Sequence, residues 1–80
     1  MAWNDPATEN QLGALWGMLA WGTGGREKRV EMFKWLEHEY KPTRKELSNE
    51  LNRVRNLKIE RKLNEETAWS GELWNKYQEK

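Results

Sequence analysis

The stretch Leu12 to Gly22, LGALWGMLAWG, carries no charge in a chain that is 34% charged. A segment this apolar must be withdrawn from water. A bilayer-spanning helix needs about 20 apolar residues, so this stretch is too short to cross a membrane and is expected to be covered by protein. Thr8-Glu9-Asn10-Gln11, just before it, has the T-x-x-Q form of a capping box, in which the threonine oxygen accepts from the Gln11 N–H and the glutamine side chain reaches back. Gly22-Thr23-Gly24-Gly25 then stops the helix. Leu12, Leu15, Trp16 and Leu19 fall within about 100° of arc, the width of a core stripe. The opposite side holds Gly13, Ala14, Gly17 and Trp21. Two glycines in a helix interior cost about 1 kcal/mol each against alanine. The Gly13-x-x-x-Gly17 spacing therefore predicts a packing face, met by a later helix or by a second subunit in a homodimer.

Arg26 to Tyr40 reads as a second amphipathic helix. Val30, Phe33, Leu36 and Tyr40 point inward with Met32 at the edge, while Trp35 is out of phase, on the side of Lys28, Glu31 and Glu39. Pro42 ends it, because the residue before a proline is pushed out of helical dihedrals. Thr43-Arg44-Lys45-Glu46 is a second capping box. Beyond it lie two apolar stripes, one of Leu47, Leu51, Val54 and Leu57, the other of Ile59, Leu63, Leu73, Trp74 and Tyr77 with Trp69 at its edge. On an ideal helix they differ by about 130°, so one straight helix cannot bury both against one neighbour. Ser48 and Asn64 are candidate extra caps. No segment alternates with period two. The expected fold is all-α, a small bundle of three to four helices in one domain over residues 1–80. Its helices are placed at about 8–21, 26–40, 43–63 with a break at 47/48, and 65–79.

A chain of 80 residues buries only roughly 60% of its unfolded surface. With no cysteine and one histidine, His38, neither disulfides nor a thiolate or polyhistidine metal site can add stability. Six tryptophans, each able to bury about 150–250 Å², take that part. Glu37-His38-Glu39 sets a histidine between carboxylates, but helical neighbours point about 100° apart and do not converge on one substrate. Gly22-Thr23-Gly24-Gly25 lacks the strand and the lysine of a phosphate loop. No catalytic residue, metal ligand or cofactor is expected, so the protein is read as a binding protein and not an enzyme. The opening MAWNDPATEN lacks the basic-then-apolar order of a secretory leader, which with the missing cysteines makes the cytoplasm the expected location.

Net charge is +1, but unevenly laid out: residues 1–40 carry −2, residues 41–63 carry +5 and residues 64–80 carry −2. Arg55, Lys58 and Lys62 lie within about 60° of one helical face, with Arg44 and Lys45 just ahead of them. Such a cluster can neutralise several phosphates. The alternative is a solvated face paired across turns with Glu50, Glu60 and Glu65. Trp35 and Trp21, out of phase with their helices, are candidate anchors for a partner, since aromatic side chains serve as interface hot spots and base-stacking platforms. For both, burial in a bundle that covers two helix faces is the competing explanation.

ATENQLGALWGML, REKRVEMFKWL and TRKELS, taken in order over about residues 7–57, resemble small helical modules of bacteriophage DNA-metabolism and regulatory proteins. Thr8, Gln11 and Leu15 match the T-x-x-Q-x-x-x-L opening helix, and Thr43, Leu47 and Ser48 match the turn that opens the third. The spacing of Leu51, Val54 and Leu57 departs from that pattern by a residue, and the tryptophan-rich end lies outside it. The resemblance implies a phage or mobile-element origin and a binding role, with no catalytic residue carried over. Two readings follow. One is a nucleic-acid-binding module acting through Arg44, Lys45, Arg55, Lys58 and Lys62, with Trp35 nearby. The other is a protein-interaction module, either a phage-encoded inhibitor of a host complex of the anti-CRISPR kind or a homodimer using the Gly13, Gly17 and Trp21 face.

Overall fold

Two capping boxes set the frame. In the computed structural model, which describes residues 4–19 and 25–79, Thr8 opens α1 (Glu9–Met18) and Thr43 opens α3 (Arg44–Ile59). Each threonine oxygen accepts from the backbone N–H three residues on, and the side chain there, Gln11 or Glu46, accepts from the threonine N–H, all at 3.2 Å. The two starts are tied together. Ala7 donates its N–H to the Pro42 carbonyl at 3.0 Å, and Arg44 donates to the Asp5 carbonyl at 2.9 Å. The Arg44 N–H is one of the donors that a helix start leaves without an intrahelical partner, and here the N-terminal segment supplies one.

α2 (Arg26–Trp35) continues into a π-helical turn, Leu36–Tyr40. A bond from the Lys41 N–H to the Leu36 carbonyl closes it at 3.1 Å. Lys41 then takes a left-handed conformation, φ 50°, and Pro42 and Thr43 lead into α3. Wide i→i+5 bonding swings Tyr40 round onto Trp35, and the two rings stack at 4.8 Å with 8° between their planes. The inward face of α2 is therefore Met32, Phe33, Trp35 and Leu36, turned from the stripe predicted with Val30.

α3 runs without interruption through residues 47 and 48. The expected break is absent because Thr43 already caps the helix, so Ser48 is not a cap. Separation of the two apolar stripes happens later. Glu60 closes α3, Arg61 is left-handed at φ 58°, and Lys62 and Arg61 donate to the Leu57 and Lys58 carbonyls at 2.8 and 3.1 Å. That pair of bonds is a Schellman ending. Ile59, placed in the second stripe by the sequence, is 72% exposed, because the chain turns before it can reach that stripe's side. Asn64 does cap α4 (Glu65–Ala68), with Thr67 as its reciprocal partner. The single helix expected over 65–79 is divided at Trp69-Ser70-Gly71, and α5 is Glu72–Glu79.

The protein is a small all-α bundle, with no strand among the described residues beyond the Pro6–Thr43 bridge. Its core is Leu15 and Leu19 of the α1 region, the α2 face, Leu47 and Val54 of α3, and Ala68, Trp69, Leu73 and Trp74. Trp74 is fully buried, 4.7 Å from the Trp69 ring and 6.4 Å from Phe33. Its indole N–H donates to the Glu50 carboxylate, which is itself only 4% exposed. Arg53 grips that carboxylate with two bonds of 2.9 and 2.6 Å and donates two more of 2.7 Å to the Thr67 and Ala68 carbonyls. The guanidinium lies where a side chain at position 71 would begin: a Cβ on Gly71 would stand 2.5 Å from Arg53 Nε. Glycine is required here for room. Gly71→Ala is expected to lower unfolding stability by about 1–3 kcal/mol, the usual cost of overpacking, read as a shift of the urea midpoint at unchanged slope.

Candidate nucleic-acid interface

α3 is the element on which the basic segment is displayed, and its two sides differ in kind. On an ideal helix Lys45, Ser48, Asn49, Asn52, Arg55, Asn56 and Ile59 fall within about 120° of arc. All are exposed except half-buried Ser48. Leu47, Glu50 and Val54 are buried on the other side. Both carboxylates of the helix turn away from the outer face. Glu50 is held by Arg53 and Trp74 in the core. Glu46 accepts from the Tyr40 hydroxyl and lies 3.5 Å from Lys76 Nζ. Of the three acidic residues in 41–63, only Glu60 is exposed. The exposed charged groups of this segment are six cations and Glu60, the same net +5 as its formal charge, because Arg44 and Arg53 leave the exposed set with Glu46 and Glu50.

The predicted cations meet different fates. Lys45, Arg55 and Lys58 are exposed, and no ion pair joins them to a described carboxylate. Arg44 is half-buried and already engaged within the chain. Lys62 lies beyond the left-handed Arg61 and does not continue the face of Arg55 and Lys58; its nearest carboxylate is Glu60, at 3.9 Å. Pairing of the basic face with Glu50 does not occur, since that carboxylate is committed to Arg53. Lys41 and Arg61, at either end of α3, are the two non-glycine residues with positive φ among those described. Such a conformation costs a side-chain-bearing residue about 1–2 kcal/mol, yet both positions carry cations.

Trp35 is not an exposed anchor. It is 6% exposed, stacked on Tyr40 and edge-on to Tyr77 at 5.1 Å; the π turn and α5 cover the side that an undisturbed helix would leave open. Trp35→Ala should therefore act on folding, at about 3–5 kcal/mol. Any change in ligand binding should follow the fraction unfolded measured by circular dichroism. Gly13 and Gly17 are exposed, and a Cβ on either would meet no described atom within 4 Å. The expected close approach by a helix of the same chain is absent. Trp21 and the run Gly22-Thr23-Gly24 lie outside the described residues. His38 stands in solvent, 3.6 Å from Glu37.

Charge counting passes over Asn49, Asn52 and Asn56. All three are exposed on the outer face of α3, and their i, i+3, i+7 spacing is visible in the sequence.

The corner that delivers α3 is electrostatically fastened. Burial pushes the Glu46 carboxyl up, but the bonds donated by Tyr40 and Thr43 and the Lys76 charge together outweigh it, leaving the carboxyl below its ordinary 4.5. Burial, then the bond to Glu46, raise the Tyr40 hydroxyl, which also accepts from Lys76 Nζ at 2.8 Å. A carboxyl lowered on folding adds stability that is complete above its unfolded value and is lost as pH falls through the folded one. The acid limb of the stability profile, below pH 4.5, should be shallower in Glu46→Gln than in wild type, compared by urea midpoints across that range.

No known family model, curated protein or solved structure matches this chain. No helix among the described residues is long and apolar enough to cross a membrane.

Proposed function

We propose that the protein is a small non-catalytic module that binds nucleic acid through the outer face of α3. One observation carries this reading: a 16-residue helix whose exposed arc holds cations, amides and a hydroxyl, with both of its carboxylates engaged on the inner side. A merely solvated helix gains from exposed acid–base pairs at i, i+4, and this face has none. Lys45 and Arg55 supply positive charge within this arc, Lys58 lies about 60° beyond its edge, and exposed Lys41 and Arg61 add charge at the two ends. Neutralised phosphates release counterions, so affinity should fall steeply with salt. A phage or mobile-element origin, implied by the resemblance of residues 7–57, agrees with such a role.

A protein-interaction role is favoured by a different observation. An open groove between α1 and α2 is lined by Leu12, Gly13, Trp16, Val30 and Phe33, with Glu9, Lys34 and Glu37 at its edge. An apolar floor with charged margins is the ordinary layout of a protein interface.

The triple variant Lys45→Gln, Arg55→Gln, Lys58→Gln separates the two. Under the nucleic-acid reading it lowers affinity at low salt and reduces the slope of log K against log salt by about 1 for each phosphate no longer neutralised. Fluorescence anisotropy with labelled duplex and single strands measures both, and circular dichroism checks the fold. If folded wild-type protein binds no nucleic acid at low salt, the reading is wrong and the groove becomes the surface to pursue.

A further inference from the structure

Asparagine is a poor choice for the exposed middle of a helix. It ranks well below alanine, lysine, glutamate and glutamine as a helix former, because its side chain competes for backbone hydrogen bonds. It is favoured at caps, yet Asn49, Asn52 and Asn56 cap nothing: α3 is capped at Thr43 and closed at Glu60. No hydrogen bond joins their side chains to a described residue; Asn52 and Asn56 are held out to water, while Asn49, also exposed, borders the cleft that Glu46, Arg53 and Lys76 line. An amide can donate to a phosphate oxygen, but it brings no charge to that contact.

Their chemistry matches a different target. A planar amide carries a donor and an acceptor side by side and pairs in bidentate fashion with adenine N6 and N7 in the DNA major groove. Asn49 to Asn56 spans seven residues of α3, about 10 Å along the axis, or roughly three base-pair steps at 3.4 Å. Ile59, 72% exposed, lies in the same arc, where an apolar side chain has the thymine methyl as its natural contact. Lys45 and Arg55 sit among them as phosphate contacts.

Geometry separates the classes of nucleic acid. The major groove of B-form DNA is about 12 Å wide and admits an α-helix, whereas the A-form RNA major groove is too deep and narrow to be read. Single strands are gripped by exposed aromatic rings, and α3 itself carries none; the half-buried Trp16, Tyr40 and Tyr77 belong to other elements. The short turn Lys41-Pro42-Thr43, with a left-handed first residue, delivers α3 from the preceding helix.

We infer that α3 is a base-reading helix for the major groove of duplex DNA, with Asn49, Asn52 and Asn56 as its reading side chains. This rests on the nucleic-acid role proposed above. The test uses the full chain and duplex DNA with a randomised central segment, carried through rounds of selection at low salt. Enrichment of a short adenine-containing motif is expected. On the selected duplex, Asn52→Ala and Asn56→Ala should each bind about 5- to 150-fold more weakly, the discrimination attached to one bidentate pair. On unselected duplex their loss should be several-fold smaller, so that the ratio of selected to unselected affinity falls in each variant. Both variants should also melt at or above the wild-type temperature, because alanine is the better helix former, so the loss cannot be ascribed to unfolding. Three outcomes overturn the inference while leaving nucleic-acid binding intact: no sequence enriched, a motif bound equally by the asparagine variants, or tighter binding of double-stranded RNA or single strands than of duplex DNA. Absence of binding to every nucleic acid overturns both.

Discussion

A buried carboxylate organises this molecule. Glu50 lies within the hydrophobic core, where an ionised group without partners would cost several kcal/mol. Arg53 and the Trp74 indole supply those partners, and the same guanidinium reaches on to two carbonyls at the end of α4. One charge thereby joins α3, α4 and α5. α4 is only four residues long and α5 eight, well below the length at which a helix stands alone in water. Their order derives from this attachment and from the tryptophans packed beside it. A wholly apolar contact would hold them as tightly but would specify their angle less well, since hydrogen bonds are directional and dispersion is not.

The sequence is most legible where chemistry is local. Both capping boxes are written as T-x-x-Q and T-x-x-E, and both helices start where those motifs put them. The all-α class and the inward side of α1 follow from periodicity, with Leu15 and Leu19 fully buried. Legibility fails where a helix departs from ideal phase. Trp35 looks exposed on a 3.6-residue wheel, but the following turn is wider and carries Tyr40 onto it. Ile59 looks buried because the wheel continues past Glu60, while the chain leaves the helix at Arg61. The last helix divides at Ser70-Gly71, a local turn dipeptide that the periodic reading of 65–79 passes over, with the Arg53 guanidinium packed against the glycine.

The candidate site divides similarly. That residues 41–63 are basic can be counted, and Lys45, Arg55 and Lys58 are displayed as a count would suggest. Which carboxylates accompany them to the surface is a tertiary matter. Glu50 looks like a partner for the basic face, yet it is bound by Arg53 and by Trp74, which lies outside that segment. The asparagines are conspicuous in the sequence only when α3 is known to be unbroken from Arg44 to Ile59, since a break at 47/48 would turn Asn49 into an ordinary first-turn residue.

The closeness of Arg53 to Gly71 has a consequence for ancestry. Space at that point is shared by two residues eighteen positions apart, and only one of them can occupy it. Descendants of this chain that acquire a side chain at 71 are expected to shorten residue 53. Those that lose the arginine no longer hold Glu50 in place and are expected to replace it with an apolar residue. Residues 50, 53, 71 and 74 should accordingly change as a quartet, while the outer positions of α3 drift or diversify independently.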